Sequence, residues 1–277
     1  MHKFLIYSLI LTVISVLGCS FKPTGENIII ISGSDTMYEL NEKLANEYMK
    51  ENPEVSVYVK GGGTKLGIND LIKNKTDICA SSRNLKPDEA KLLAEYYGSL
   101  ALVYLIAKDG LSIYVNPSNF VNDLTSEQVK KIFTGKIKNW KDVGGKDTVI
   151  IPVLRNPNSG TYLYFKEHVL DDEDYTENGI TLPSTREMVK FISENENAIG
   201  YGGVGYKEGV IQIRIDGIPP TELNIRNDTY PITRYLHFFL SKSPSGRVKD
   251  FIDWVLSPSG QSVIRNAGFI SLWEYSL

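Results

Sequence analysis

Three times in this chain an apolar, strand-like run passes through a loop of Gly, Ser and Thr into a helical pattern. The loops are Ile31-Ser32-Gly33-Ser34-Asp35-Thr36-Met37, Gly61-Gly62-Gly63-Thr64-Lys65-Leu66-Gly67-Ile68 and Arg155-Asn156-Pro157-Asn158-Ser159-Gly160-Thr161. A chain that repeats strand, loop and helix is restricted to sheets with helices packed on their faces. Around the first two loops, residues 27–31, 55–59 and 77–80 read as strands. Met37, Leu40, Leu44 and Tyr48 recur at helical spacing, and Leu66, Ile68, Leu71 and Ile72 suggest a second helix. Pro87 to Tyr97 opens with Pro and acidic residues, as helices do. Runs at 100–107 and 112–115 read as two more strands.

A second cycle follows. Thr125 and Gln128 form a capping box ahead of Val129, Ile132 and Phe133. Strands are expected at 149–153, 198–201 and 210–215, and helices at 160–169 and from Ser184 to Glu194. An apolar run at 236–240 and a helix at 248–256 bring the chain back. The expected fold is α/β and two-lobed, with mostly parallel sheets, flanking helices and a cleft between the lobes.

The N-terminus reads as an export signal. Met1-His2-Lys3 is a positive start, and the apolar run Phe4 to Leu17 falls short of the roughly 20 residues of a membrane span. It ends in Val16-Leu17-Gly18-Cys19-Ser20, which resembles a bacterial lipobox, with Val16 where Leu is preferred. That resemblance implies a signal peptide over residues 1–18, lipid on Cys19 and a tether over 19–26. Cys79, in Asp77-Ile78-Cys79-Ala80, reads as a small buried hydrophobe.

The loops carry the chemistry. Helix N-termini expose N–H groups and a partial positive charge, Ser and Thr add donors, and Gly allows close approach. Together these make an anion site at the carboxyl ends of strands. Singly each signal is weak: Ser34 or Thr64 alone reads as a helix cap, and Arg155 as a surface ion pair. The repetition of the design, with Arg155 beside one loop, carries the anion reading. Asp77 to Arg83 adds a fourth strand end with hydroxyls and a cation.

Other functions are disfavoured. A formal net charge of −3 does not suit a general nucleic-acid binder. No G-x-S-x-G, Walker or H-E-x-x-H motif occurs. His168 and His237 have no nucleophile or ligand pattern around them and read as structural. No enzyme activity, cofactor or metal is expected.

Ile132-Phe133-Thr134-Gly135-Lys136-Ile137-Lys138-Asn139-Trp140, followed by Val143-Gly144-Gly145, resembles a signature of the PstS family. These are the phosphate-binding lipoproteins of the phosphate (Pst) ABC transporter. Gly33-Ser34-Asp35-Thr36, Asp77 to Arg83, Arg155 with Ser159-Gly160-Thr161 and Phe165, Tyr230-Pro231-Ile232-Thr233-Arg234, Ser257 to Gln261 and Gly268-Phe269 match as well. The resemblance runs from Ile28 to the C-terminus.

It implies a type II periplasmic-binding-protein fold with phosphate held in the interlobe cleft. Lobe I would comprise 27–108 and 236–277, and lobe II 109–235. Ser34, Thr36, Met37, Thr64, Ser82, Arg155, Ser159, Gly160 and Thr161 stand where phosphate would be bound. Some members carry Asp at the position of Ser82, where it accepts the proton of hydrogen phosphate. Asp35 is the nearby carboxylate that could take that role, its alternative being an acid favoured at a helix start. Arg83 either faces the ligand or pairs with an acid. The implied partners are inorganic phosphate, the permease subunits of an ABC importer, and a membrane through the lipid on Cys19. The protein would be an exported, lipid-anchored, periplasm-facing monomer. The alternatives are a binder of sulfate or molybdate, and a surface adhesin or signalling lipoprotein on the same scaffold.

Overall fold

A computed structural model describes residues 27–98 and 100–273. The signal peptide, Cys19 and the tether lie outside the described residues.

The first unit runs β1 (Ile28–Gly33), α1 (Tyr38–Glu51), β2 (Ser56–Lys60), α2 (Thr64–Ile72), β3 (Ile78–Ser81) and α3 (Pro87–Tyr97). β4 (Leu102–Val115) leads to β5 (Asp123–Leu124) and α4 (Ser126–Phe133). Then come β6 (Ile151–Arg155), α5 (Gly160–His168), β7 (Ile180–Leu182), α6 (Thr185–Glu194) and β8 (Ala198–Gly203). β9 (Ile211–Gln212), β10 (Arg214–Ile215) and α7 (Glu222–Arg226) precede β11 (Thr233–Leu240), α8 (Gly246–Leu256) and α9 (Pro258–Asn266).

The main sheet has the order β2-β1-β3-β11-β4-β8-β6-β7. Its flanks are parallel, as β-α-β units require, and its centre is antiparallel. The chain folds as the expected two-lobed α/β protein. On one side Leu40, Leu44 and Tyr48 of α1 pack with Phe238, Phe251 and Ile252. On the other, Val129, Ile132 and Phe133 of α4 pack with Trp140, Phe165 and Tyr201. Burial of each such side chain stabilises the fold by roughly 1.5–3 kcal/mol. The Thr125–Gln128 capping box forms, and Ser184 caps α6 through the Glu187 N–H. Cys79 is fully buried, and burial pushes its thiol pKa up.

Two expectations need correction. The runs at 100–107 and 112–115 are one strand, β4. The polar residues Lys108 and Asp109 between the runs stay in the strand: Lys108 meets Asp228 at 2.7 Å and Asp109 meets Arg234 at 2.8 Å. The first part of β4 pairs with β11 and residues 111–115 with β8, so one strand is shared by both halves of the sheet. Conversely, 210–215 is two strands, because Ile211-Gln212 follows β4 and Arg214-Ile215 follows β5.

Candidate anion site

β1 ends at Gly33 and delivers Ser34, Asp35 and Thr36 through one turn of 3-10 helix ahead of α1. β3 ends in Ser81 and delivers Ser82. β6 ends in Arg155, and the next residues lead into α5, where Ser159 Oγ accepts from the Thr161 and Tyr162 N–H groups. Thr64 and Gly160 are the first residues of α2 and α5, so their N–H groups have no intrahelical partner.

These residues converge. Ser34 Oγ donates to Ser82 Oγ at 3.0 Å, and the Thr36 and Thr161 hydroxyls are 2.7 Å apart. The Ser82 N–H donates to Thr64 Oγ1 at 3.4 Å. A Cβ on Gly160 would lie 2.4 Å from Thr64 Oγ1 and 2.7 Å from Ser82 Oγ. One on Gly63 (φ 96°) would lie 2.6 Å from the Asn158 carbonyl oxygen. Glycine at these two places lets the Gly-rich loop and the start of α5 touch. Ser34, Thr36, Met37, Thr64, Ser82, Arg155, Ser159 and Thr161 are all buried. The Met37 N–H donates to the Ser34 carbonyl at 3.1 Å and sits within the first loop.

Arg155 is the buried cation of the group. Nη1 donates to Thr185 Oγ1 at 2.7 Å, and Nη2 to Asp35 Oδ2 and the Pro183 carbonyl, each at 3.0 Å. Nε is buried with no hydrogen-bond partner among the described residues. Burial pulls the guanidinium pKa down and the Asp35 charge opposes this; arginine remains a cation throughout. Asp35 uses both oxygens, since Oδ1 accepts from the Gly62 N–H at 2.7 Å. The carboxylate therefore ties the first loop to the Gly-rich loop and to Arg155. Arg83 pairs with Glu89 through two bonds of 2.7 Å. Of its two alternatives, the acid partner is the one formed.

Several participants were not identified from sequence. Arg234 donates through Nη1 to Thr161 Oγ1 at 3.1 Å and to the Ser82 carbonyl at 3.2 Å. Its Nε and Nη2 donate to Asp109 Oδ2 at 3.0 and 2.8 Å. Burial raises the Asp109 pKa, and the charge and hydrogen bonds of Arg234 oppose it. Tyr206 Oη lies 3.1 Å from the Asp35 carbonyl and 3.2 Å from that of Thr36, closing over the first loop. The available signals were an acid inside an apolar strand, for Asp109, and the Tyr-Pro-Ile-Thr-Arg block, for Arg234. Neither signal points at its partner. A recess of about 240 Å³, lined by Asp35, Tyr38, Glu39, Gly61, Ser184, Arg186 and Tyr206, adjoins the site.

The profile of the PBP superfamily domain matches residues 22–259. A phosphate-binding protein PstS of Bacillus subtilis is 34% identical over 252 residues, covering 89% of this chain and 81% of the relative. The chain belongs to the PstS family of phosphate-binding proteins. Another PstS relative, from Pseudomonas aeruginosa, is 31% identical over 263 residues, covering 87% and 81%. Two solved structures agree with the PstS assignment. One is a Clostridium perfringens protein assigned as a phosphate ABC transporter substrate-binding protein and crystallised with bound phosphate. It superposes with a TM-score of 0.82 at 32% identity, over 89% of this chain and all of that one. The other, an ABC-type phosphate transport receptor of Vibrio cholerae, gives 0.71 at 32% identity, over 87% and 99%. Among the described residues of this PstS-family chain, no helix is long and apolar enough to cross a membrane. No His/Cys/Asp/Glu cluster there could hold a metal.

Proposed function

We propose that this protein binds inorganic phosphate between its lobes and delivers it to an ABC import permease. The observation that carries the reading is the 2.7 Å contact between Thr36 and Thr161, residues 125 positions apart. It brings the first strand-end loop onto the N-terminus of α5, beside the buried Arg155. Ser34, Thr36, Met37, Thr64, Ser82, Arg155, Ser159, Gly160 and Thr161 are the proposed phosphate-binding residues. They offer hydroxyls, N–H groups at helix starts and one guanidinium, all suited to a dehydrated oxyanion. In this reading lobe I is 27–108 with 236–277, and lobe II is 109–235. Asp35 orients Arg155 and is also the candidate acceptor for a phosphate proton. A monomer lipidated on Cys19 and facing the periplasm completes the proposal, with binding and handover in place of catalysis.

The weak net charge does not oppose this. Distant surface charges are screened over about 8–10 Å, whereas the proposed donors act at hydrogen-bond range. Calorimetric titration of ligand-stripped protein with phosphate, sulfate and molybdate tests the function. Tight binding of phosphate with much weaker binding of the others is expected. Absence of phosphate binding, or equal affinity for sulfate, would refute it.

A further inference from the structure

We propose that a basic groove beside the candidate anion site is the entry path for phosphate, and that its lysines set the rate of capture. This rests on the phosphate reading above.

A groove of about 680 Å³ runs between α1, α6 and the loop after β8. Its charged residues are Lys43, Arg186, Lys190 and Lys207 against Glu39 and Glu208. That balance is the reverse of the chain as a whole, whose formal net charge is −3. Lys43, Lys190 and Lys207 are exposed, and none has an ion-pair partner among the described residues. Lysines on other faces are held by acids: Lys130, Lys136 and Lys166 meet theirs at 2.9 Å or less.

The cations on α6 stand where helix physics disfavours them. Arg186 is in the first turn, where the helix dipole opposes a positive charge. Lys190 follows one turn later, a like charge at i,i+4 that repels it. Neither placement stabilises the helix; both present positive charge to the groove.

The groove leads inward. It shares Glu39, Arg186 and Tyr206 with the recess of about 240 Å³, which reaches Asp35 and Gly61 beside Arg155. The acids along this way in are already engaged. Glu39 Oε1 accepts from Arg186 Nε at 2.8 Å, and Asp35 accepts from Arg155 Nη2 and the Gly62 N–H. Glu208 lines the groove and not the recess. An anion therefore passes from exposed lysines by way of Arg186 to Arg155.

A field of this kind acts on encounter. It concentrates an anion at the mouth and leaves the contacts of the bound ion unchanged. Capture then depends on ionic strength, because the screening length falls from about 30 Å at 10 mM salt to about 3 Å at 1 M.

Stopped-flow association of ligand-stripped protein with dilute phosphate at pH 8, across that salt range, is the test. Wild-type association should slow as salt rises, although the negative charge of the whole chain predicts the opposite. Lys190→Gln/Lys207→Gln should associate about two- to fivefold more slowly at low salt and merge with the wild type at high salt. Its dissociation rate and melting temperature should stay those of the wild type. Lys73→Gln/Lys242→Gln removes the same charge beyond the ends of α2 and β11, away from the groove, and should associate as the wild type does. A wild-type rate that rises with salt or ignores it would overturn the role of the groove. So would a groove variant whose association matches that of the remote variant. Either result would leave phosphate binding standing, whereas a wild type that binds no phosphate would overturn both.

Discussion

Arg155 and Asp35 stand 120 positions apart in sequence, and their side chains meet at 3.0 Å in a buried ion pair. The pair joins the end of β6 to the loop after β1, so it holds the cationic side of the site against the hydroxyl side. The Arg155 side chain is fully buried, and little solvent screens the interaction.

Removing the cation should therefore cost both binding and order. Arg155→Ala is expected to weaken phosphate binding by about a hundredfold or more, since charge-assisted contacts are the strong ones. Asp35→Asn keeps an acceptor for the Gly62 N–H and should lose far less. Titration of both variants, with melting curves alongside, checks the order.

Gly160→Ala tests the close approach at the start of α5. The added methyl group would run into the Thr64 and Ser82 hydroxyls at 2.4 and 2.7 Å. Phosphate affinity should fall at least about tenfold. The melting temperature of the unliganded protein should fall much less, because the site loops can part. Equal affinity in the variant would show that these hydroxyls do not line the ligand.

Arg83 should matter to stability and not to binding. Glu89→Ala leaves a buried guanidinium without its acid, a change that costs about 3–5 kcal/mol. Urea unfolding reads this loss, and calorimetry at low temperature should find phosphate affinity within about twofold of wild type.

His237 predicts acid sensitivity. Its imidazole is buried, Nδ1 has no hydrogen-bond partner among the described residues, and desolvation pulls its pKa from 6.5 down to about 4. The folded state holds the ring neutral while the unfolded chain takes up the proton first. Stability from this group is full above pH 6.5 and is lost as pH falls toward 4, by about 3 kcal/mol at most. Denaturant midpoints of wild type and His237→Gln across this range should converge on acidification. A constant difference would refute the assignment.

Much of the fold was legible because strand-to-helix loops announce themselves locally. Thr125 and Gln128, Ser184, and Pro87 each mark a helix start within a few residues. The nine sequence-derived site residues lie on such loops, and the structure brings them into one cluster. What stayed hidden depends on partners far along the chain. Lys108-Asp109 splits one strand into two apolar runs in the sequence, and the partners that hold it in the strand, Asp228 and Arg234, come from more than a hundred residues away. The pairing of Arg83 with Glu89 spans six positions, yet its direction is decided by burial against α3, which no local pattern reveals.

The continuity of β4, which pairs with β11 through one β-bulge and then with β8, has a mechanical consequence. A cleft whose halves are joined by paired strands can open only by twisting a hydrogen-bonded ribbon, because no slack loop interrupts β4 between Leu102 and Val115. Such a joint behaves as a torsion spring: it stores work when bent and returns it when released. The buried Asp109–Arg234 pair clamps that ribbon near the middle of β4. Opening the cleft thus loads the guanidinium that holds Thr161 and the Ser82 carbonyl, so the stiffness of the joint and the placement of the proposed site residues are linked.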